Sequence, residues 1–358
     1  MERKFSKVKL TKKYKKRKKI QYLDKNILFK NIIKGLIIFL NLKILRNNSK
    51  TNYIHLALNI DNKYIYPCIV YLTSLLLNRA DSTFYIFHIL AGNNIRNDAF
   101  KKVNETIIRL GKKHSNVSFY NMGDQFRSAT AGSIITTAAY YRISLPSILP
   151  NIDKVIYTDS DIINFKDLSE LYNIKFENGM YFIGLLDHLY HRGEFRRRNI
   201  YIDKYINSGI LLMNLKAIRE NEIENKLRNF ISKNFLNHHE QTAINAVCGN
   251  NTQVLSYKYA VFAYDSFDVL IKLNNEQNEK YKNSMDELKQ GFNSPFLLHF
   301  CGYDKPWNKK SLKKRRVYWW YYAKKSLFYQ EILDNYNFTR DEIEELLKII
   351  PKNGSLLK

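Results

Sequence analysis

Val155-Ile156-Tyr157-Thr158-Asp159-Ser160-Asp161 carries an apolar run directly into two carboxylates separated by one small residue. The run reads as a buried strand and the carboxylates as its solvent-facing end. Side chains alternate along a strand, so Asp159 and Asp161 share a side, and Ser160 leaves room for a bulky anion to approach. A hard divalent cation held by two such carboxylates can bridge the phosphates of a nucleotide-sugar and neutralise the charge on the departing diphosphate. Taken alone, an Asp-x-Asp marks a solvated turn as readily as a metal site.

A second segment adds weight: His299-Phe300-Cys301-Gly302-Tyr303-Asp304-Lys305-Pro306-Trp307, after the apolar run Pro295-Phe296-Leu297-Leu298. An imidazole leaving a strand end supplies a third metal ligand, Gly302 lets backbone approach phosphate, and Lys305 offers a point charge. Nitrogen plus carboxylate ligation favours Mn²⁺, with Mg²⁺ the alternative. Asp159, Asp161 and His299 are therefore the expected metal ligands.

Outward from these segments, short apolar strands alternate with helical patterns, which predicts an α/β domain with a largely parallel sheet. The expected strands are 54–58, 83–90, 117–121, 154–157, 181–185, 208–213 and 296–299, with helices notably over 98–112 and 215–234. No Gly-rich phosphate loop is present, so phosphate is expected to be held through metal. In open α/β sheets ligands gather beyond the carboxyl ends of strands. Asp61, Asp159, Asp161 and His299 each follow a predicted strand.

Several blocks in this order resemble the retaining family 8 glycosyltransferases with the GT-A fold, a Rossmann-like, mostly parallel mixed sheet with flanking helices. Besides the two segments above, they are Leu58-Asn59-Ile60-Asp61-Asn62-Lys63-Tyr64, Tyr140-Tyr141-Arg142 with Leu149-Pro150, the strand from Tyr205 to Asn214, and Glu240-Gln241 with Asn245. The likeness runs over roughly residues 51 to 335. It implies a UDP donor carrying galactose or glucose, with retention at the anomeric carbon. It places Asp61, Asn62 and Tyr64 at the nucleoside, with Asp61 on the uracil; Asp159, Ser160, Asp161, His299, Gly302 and Lys305 at metal and phosphates; Arg142 on donor phosphate or sugar; Asn207 on a sugar hydroxyl; and Gln241 under the anomeric carbon. By residue type alone, Asp61 also reads as a turn residue, Tyr64 as core, Arg142 as the partner of a nearby acid, Asn207 as a capping amide and Lys305 as a solvated loop lysine. Glu240 departs from the family's usual Asp and Thr242 from a commonly acidic neighbour, which puts donor or acceptor choice in question. An amide is a poor nucleophile, which favours front-face attack assisted by Gln241; double displacement through Gln241 or Glu240 stays open.

Charge organises the ends of the chain. Lys and Arg number 58 against 33 Asp and Glu, a net of +25, and the first 50 residues hold 17 basic against 2 acidic residues. The expected domains are a basic arm with an amphipathic, membrane-surface helix (1–50), a catalytic domain (51–308) and a basic, aromatic helical tail (309–358). Lys30, Lys34 and Asn41 interrupt the apolar run over 27–46 on one helical face, which fits an interfacial helix or one docked on the domain better than a span. The tail's Lys, Arg, Trp and Tyr have the composition of a membrane-interface segment. Among family members this composition resembles that of bacterial lipopolysaccharide galactosyl- and glucosyltransferases, which implies a glycan or lipid-linked oligosaccharide acceptor and a site on the cytoplasmic face of an anionic membrane. Three cysteines without metal spacing suit a reducing compartment. The rival readings are a same-fold enzyme acting on protein or on itself, a catalytically dead scaffold, and a basic nucleic-acid binder, which the tails suggest but the ordered blocks do not.

Overall fold

The computed structural model describes residues 51–126, 137–187, 202, 204–234, 236, 238–277 and 279–350. The basic arm around Lys12–Lys19 and the expected helix over 27–46 lie outside the described residues. Residues Asn52–Lys358 cluster as one unit.

β1 (Asn52–Ile60) runs parallel to β2 (Thr83–Ala91), β2 parallel to β3 (Ser115–Asn121), and β1 parallel to β4 (Lys154–Thr158). After β4 the chain turns through Asp159–Asp161 into a short β5 (Ile162–Asn164). β6 (Phe182–Leu186) and β7 (Ile206–Asn214) then pair antiparallel, β7 lies antiparallel to β4, and β8 (Thr252–Val254) is parallel to β6. Among the described residues the main sheet has the order β3-β2-β1-β4-β7-β6-β8, and a second sheet sets β5 beside β10 (Leu297–His299) and β10 beside β9 (Ala260–Phe262).

The main strands alternate less than half-buried strands do, because helices cover both faces. On one face lies the helix Ile65–Leu77, whose side chains are almost all buried, together with the amphipathic helix Asn97–Gly111. The other face packs against the helices between Leu215 and Cys248 and the 3₁₀ segment Thr137–Ser144. The mixed, mostly parallel sheet with flanking helices agrees with the sequence expectation. The helix Ile65–Leu77 escapes periodicity because it is apolar all round. The helix expected over 215–234 is broken in two at Glu222, whose φ of 53° is left-handed.

Residues on both sides of the expected boundary at 308 share one core. Trp319, Trp320 and Tyr322, on the helix Arg316–Lys325, are fully buried in the same core as β1 and the helix Ile65–Leu77. Asn78 ties this junction together, donating to Asn164 O at 3.0 Å and to Tyr322 Oη at 2.7 Å. A membrane-associating role for 309–358 thus cannot use Trp319 or Trp320 as anchors; their side chains face the protein. Trp320→Ala should destabilise the chain by about 3–5 kcal/mol, since it empties a large core site; a urea-denaturation midpoint unchanged from wild type would contradict the packing.

Across β1, β2 and β3, His55 Nδ1 lies 2.9 Å from His88 Nε2, and His88 Nδ1 lies 3.1 Å from Tyr120 Oη. Burial pushes the His55 imidazole down to about 4, and burial reinforced by His55 pushes His88 well below its ordinary range. Depressed values mean that the pair stabilises the fold in full above about pH 6.5 and loses that contribution as pH falls toward 4. The urea midpoint should drop over that window, and His55→Gln/His88→Gln should flatten the drop; equal slopes for both proteins would remove the histidine pair as its cause.

Candidate active site

The turn Asp159–Ser160–Asp161 sits where the two sheets meet. The β4–β7 ladder continues past its last strand pair through Asp159 N to Gly209 O at 2.7 Å. On the other side, Ile162 pairs with His299, and Phe300 N donates to Asp161 O at 2.9 Å. Backbone pairing therefore sets both carboxylates and the imidazole before any side chain chooses a rotamer.

His299 Nε2 is 3.3 Å from Asp161 Oδ1 and 4.0 Å from Asp159 Oδ2. Asp161 and His299 are buried, while the Asp159 side chain is 29% exposed. One ligand atom from each of the three residues lies within 4.8 Å of the others. Two further observations test whether a divalent cation fits. Asp161 Oδ1 is buried with no hydrogen-bond donor, and Gly209 supplies clearance: a Cβ there would lie 2.4 Å from His299 Cε1 and 2.7 Å from Asp159 Oδ2. Two carboxylates and an imidazole suit a first-row divalent ion, so the residues fit one.

Lys305 Nζ bonds Asp161 Oδ2 and donates to Phe300 O at 3.0 Å. Burial opposes charge on both partners of this pair, but each outweighs it for the other: Lys305, helped by His299, holds the Asp161 carboxyl well below the usual range, and Asp161 pushes the Lys305 amine up. Both stay ionised at neutral pH. The loop carrying Lys305 is pinned at its far end, where Trp307 packs edge-on to Tyr64 at 5.8 Å and against Trp319 at 5.3 Å, and Trp320 Nε1 donates to Pro306 O at 3.0 Å. Gly302, with a φ of 89°, opens the loop in open space.

Arg142 is 3% exposed and wholly occupied by the protein. It donates from Nη2 to Asp159 Oδ1 at 2.9 Å, from Nη1 to Ser208 O and from Nε to Ala139 O at 2.9 Å, and lies 3.3 Å from Glu240 Oε1 and 4.2 Å above the Tyr157 ring. This is the acid-pairing arrangement that its residue type alone allows. Burial pushes the Glu240 carboxyl up, against the pull of Arg142. Ser208 Oγ donates to the same Glu240 oxygen at 2.9 Å.

Beside this lies an amide network. Asn207 Nδ2 reaches Asp187 Oδ2 at 3.1 Å and Gln241 Oε1 at 3.0 Å; Gln241 Oε1 also accepts from Ser208 N at 3.0 Å, and Gln241 Nε2 donates to Asp187 Oδ2 at 3.1 Å. Asn207 Oδ1 accepts from Gly209 N at 2.8 Å, linking the amides to the cation cluster. Sequence reasoning missed Asp187, and placed Ser208 and Gly209 in the Tyr205–Asn214 block without a role. Asp187 was within reach of the rule that found Asp159, since it directly follows the buried run Phe182–Leu186.

Asp61 and Asn62 line a cleft of about 190 Å³ beyond the carboxyl ends of β1, β2 and β3, with Gly92, Gly123, Gln125 and Tyr141. Asp61 Oδ1 accepts from Lys63 N at 2.8 Å and Tyr64 N at 3.0 Å, so it starts the helix Ile65–Leu77 as a turn residue as well as lining the cleft. Asn62 accepts from Arg96 N and donates to Asn94 O, both at 2.8 Å, fixing the cleft wall. Tyr64 stands between cleft and cluster; burial, then Asp161, push its phenol up and keep it neutral. Ser160 is buried, its hydroxyl 3.4 Å from Asn59 O.

Comparison with known proteins bears on family and fold. The family described as Glycosyl transferase family 8 matches residues 55–311, well over half the chain. General stress protein A of Bacillus subtilis (strain 168) is 27% identical over 267 residues, which cover 72% of this chain and 89% of that protein. Lipopolysaccharide 1,2-glucosyltransferase of Escherichia coli (strain K12) is 22% identical over 272 residues, covering 74% and 76% of the two chains. Other relatives are longer, and the chain spans about half the length of some of them. The crystal structure of galactosyltransferase LgtC with donor and acceptor sugar analogs superposes with a TM-score of 0.67 at 17% identity, over 79% of this chain and 100% of that one, a likeness of fold.

Gly209→Ala should weaken divalent-cation binding at this cluster, with Mn²⁺ as the probe, by about tenfold or more, as displaced ligand supports commonly do, while leaving the far-ultraviolet circular dichroism unchanged. Equal Mn²⁺ affinity, read by the electron paramagnetic resonance of free Mn²⁺, would show that the clearance at Gly209 is irrelevant to the cluster.

Proposed function

The chain belongs to glycosyl transferase family 8, and we propose that it transfers a hexose, galactose or glucose, from a UDP-sugar to a lipopolysaccharide-type glycan with retention of configuration. As a GT-A glycosyltransferase it takes a nucleotide-sugar donor and a glycan acceptor. The finer reading rests above all on the cluster of Asp159, Asp161 and His299 standing between the cleft lined by Asp61 and Asn62 and the amide network of Asn207 and Gln241. The printed description of the Escherichia coli relative supports the acceptor class.

In this reading Asp61, Asn62 and Tyr64 receive the nucleoside, and Asp159, Asp161 and His299 hold a divalent cation, Mn²⁺ by donor set or Mg²⁺. When bound, that cation supplies positive charge to the diphosphate as it leaves. Ser160 and Gly302 give the phosphates backbone access, and Lys305 adds a fixed positive charge. Arg142 is a positioning residue: it holds Asp159 in place through Nη2 at 2.9 Å, with Glu240 completing its charge balance. Asn207 meets a sugar hydroxyl.

Gln241 shapes the stereochemical argument. Its carbonyl oxygen already accepts from Ser208 N and Asn207 Nδ2 and its amide group is fixed by Asp187, so it acts as an oriented dipole and not as a nucleophile. Front-face attack follows: the acceptor oxygen bonds to the anomeric carbon on the side where the bond to the phosphate oxygen breaks, and the acceptor's proton passes to that phosphate oxygen. Glu240, buried and paired with Arg142, is likewise engaged within the protein.

Placement at the cytoplasmic face of a membrane is part of the proposal. It is supported by the exposed basic residues Lys309, Lys310 and Lys314 and by three free cysteines; among the described residues, no helix is long and apolar enough to cross a membrane.

Purified enzyme should release UDP from UDP-galactose or UDP-glucose with Mn²⁺, and chelator or Asp161→Ala should reduce release to background. Release that survives both would overturn the metal assignment; release from neither sugar, even with lipopolysaccharide acceptor present, would overturn the donor.

A further inference from the structure

We propose that Lys305 and the divalent cation compete for Asp161, so that the cation binds firmly only together with a nucleoside diphosphate. The inference rests on the metal and donor reading above and deepens it. Asp161 offers two oxygens, and both face cationic or ligating neighbours: Oδ2 bonds Lys305 Nζ, and Oδ1 lies 3.3 Å from His299 Nε2. The Lys305 side chain is only 16% exposed and its remaining contact is a neutral carbonyl, Phe300 O at 3.0 Å. An ammonium and a dication cannot share one buried carboxylate without strong repulsion, because little water intervenes to screen them.

Lys305 has somewhere to go. Its loop is fixed beyond it, at Pro306 through Trp320 and at Trp307 through Tyr64 and Trp319. Before it, Gly302 holds a φ of 89° with nothing within 4 Å of a would-be Cβ, and Tyr303 is 88% exposed. Residues 302–304 therefore form a short segment hinged at Gly302 and held by a long bond from Asn308 Nδ2 to Tyr303 O at 3.4 Å, while Lys305 O stays with the anchor through Asn308 N at 2.9 Å; the segment can loosen as the Lys305 side chain turns off Asp161. A cation alone would displace Lys305 and leave its charge unpaired near the cluster. A diphosphate supplies the missing negative charge to both cations, which converts competition into cooperation. By linkage, the tightening of cation binding by diphosphate equals the tightening of diphosphate binding by cation.

The test measures Mn²⁺ binding to the full chain by electron paramagnetic resonance, with and without UDP, for wild type and Lys305→Met. In wild type, UDP should tighten Mn²⁺ binding within the roughly 5- to 150-fold range typical of coupled sites. Lys305→Met should bind Mn²⁺ alone about tenfold more tightly than wild type, with the effect of UDP reduced. If the variant binds Mn²⁺ alone no more tightly, the competition is wrong while the metal site stands; if wild type binds no Mn²⁺ even with UDP, the metal reading itself fails and takes the competition with it. A second measurement needs no variant: amide hydrogen exchange over 302–304 in wild type should rise with Mn²⁺ alone and fall with Mn²⁺ and UDP together. Unchanged exchange with saturating Mn²⁺ alone would also overturn the proposal.

Discussion

The structure depends on one three-residue turn shared by two sheets. Asp159 is held by β7 through Gly209, and Asp161 by β10 through Phe300, so a shift of either ladder would move one carboxylate relative to the other. Strand registers are stiff because a slip by one residue turns a whole buried face outward. Each ladder is backed by core residues, Ile156 and Ile210 on one side and Ile163 and Leu298 on the other. The site thus inherits its rigidity from the hydrophobic core, and the polar residues themselves need supply little of it.

Rigidity of this kind allows charges to be buried that would otherwise be costly. Arg142, Glu240, Asp161 and His299 are each less than 5% exposed, a density that requires every charge to have a partner. The partners form two groups. Arg142 serves Asp159 and Glu240 from a buried position over the Tyr157 ring; Lys305 serves Asp161 from a loop that opens at a glycine. The first group fixes geometry and the second can respond, and the difference lies in what surrounds each cation: strand and aromatic ring for Arg142, a glycine-flanked loop for Lys305. Glu240 belongs to the first group. Its longer side chain reaches Arg142 and Ser208 while Gln241, next in the helix, turns toward Asp187, so the departure from Asp is absorbed by the protein's own pairing.

Much of this was legible in the sequence, for definite reasons. β1, β4 and β10 are apolar runs that lead into polar residues, and Asp61, Asp159, Asp161 and His299 were found by that rule alone. Family resemblance supplied what patterning could not, namely that Asn207 and Gln241 belong to the same site; 34 residues separate them in the chain but their side chains touch at 3.0 Å. The three-residue strands β5, β8 and β9 are too short to show alternation, and with β5 went the second sheet, the element that brings Asp161 to His299. Gly209 lay within a quoted block, but its role did not show there: that role is to lack an atom, and only the surrounding positions of His299 and Asp159 reveal it.

The C-terminal aromatic stretch shows why composition does not decide location. Lys and Arg beside Trp and Tyr fit a membrane interface or the rim of a core equally well, since both surroundings are apolar on one side and wet on the other. What separates the two is whether the rings have a protein surface to meet. Here they do: Trp319 packs on Trp307, and Trp320 on Phe338 at 4.6 Å while its indole nitrogen holds Pro306. These contacts reach back, through Trp307, to the loop that ends at Lys305. The helix Arg316–Lys325 thus packs against the loop that carries Lys305, and the basic residues on its outer side remain in solvent because the aromatic ones are turned inward.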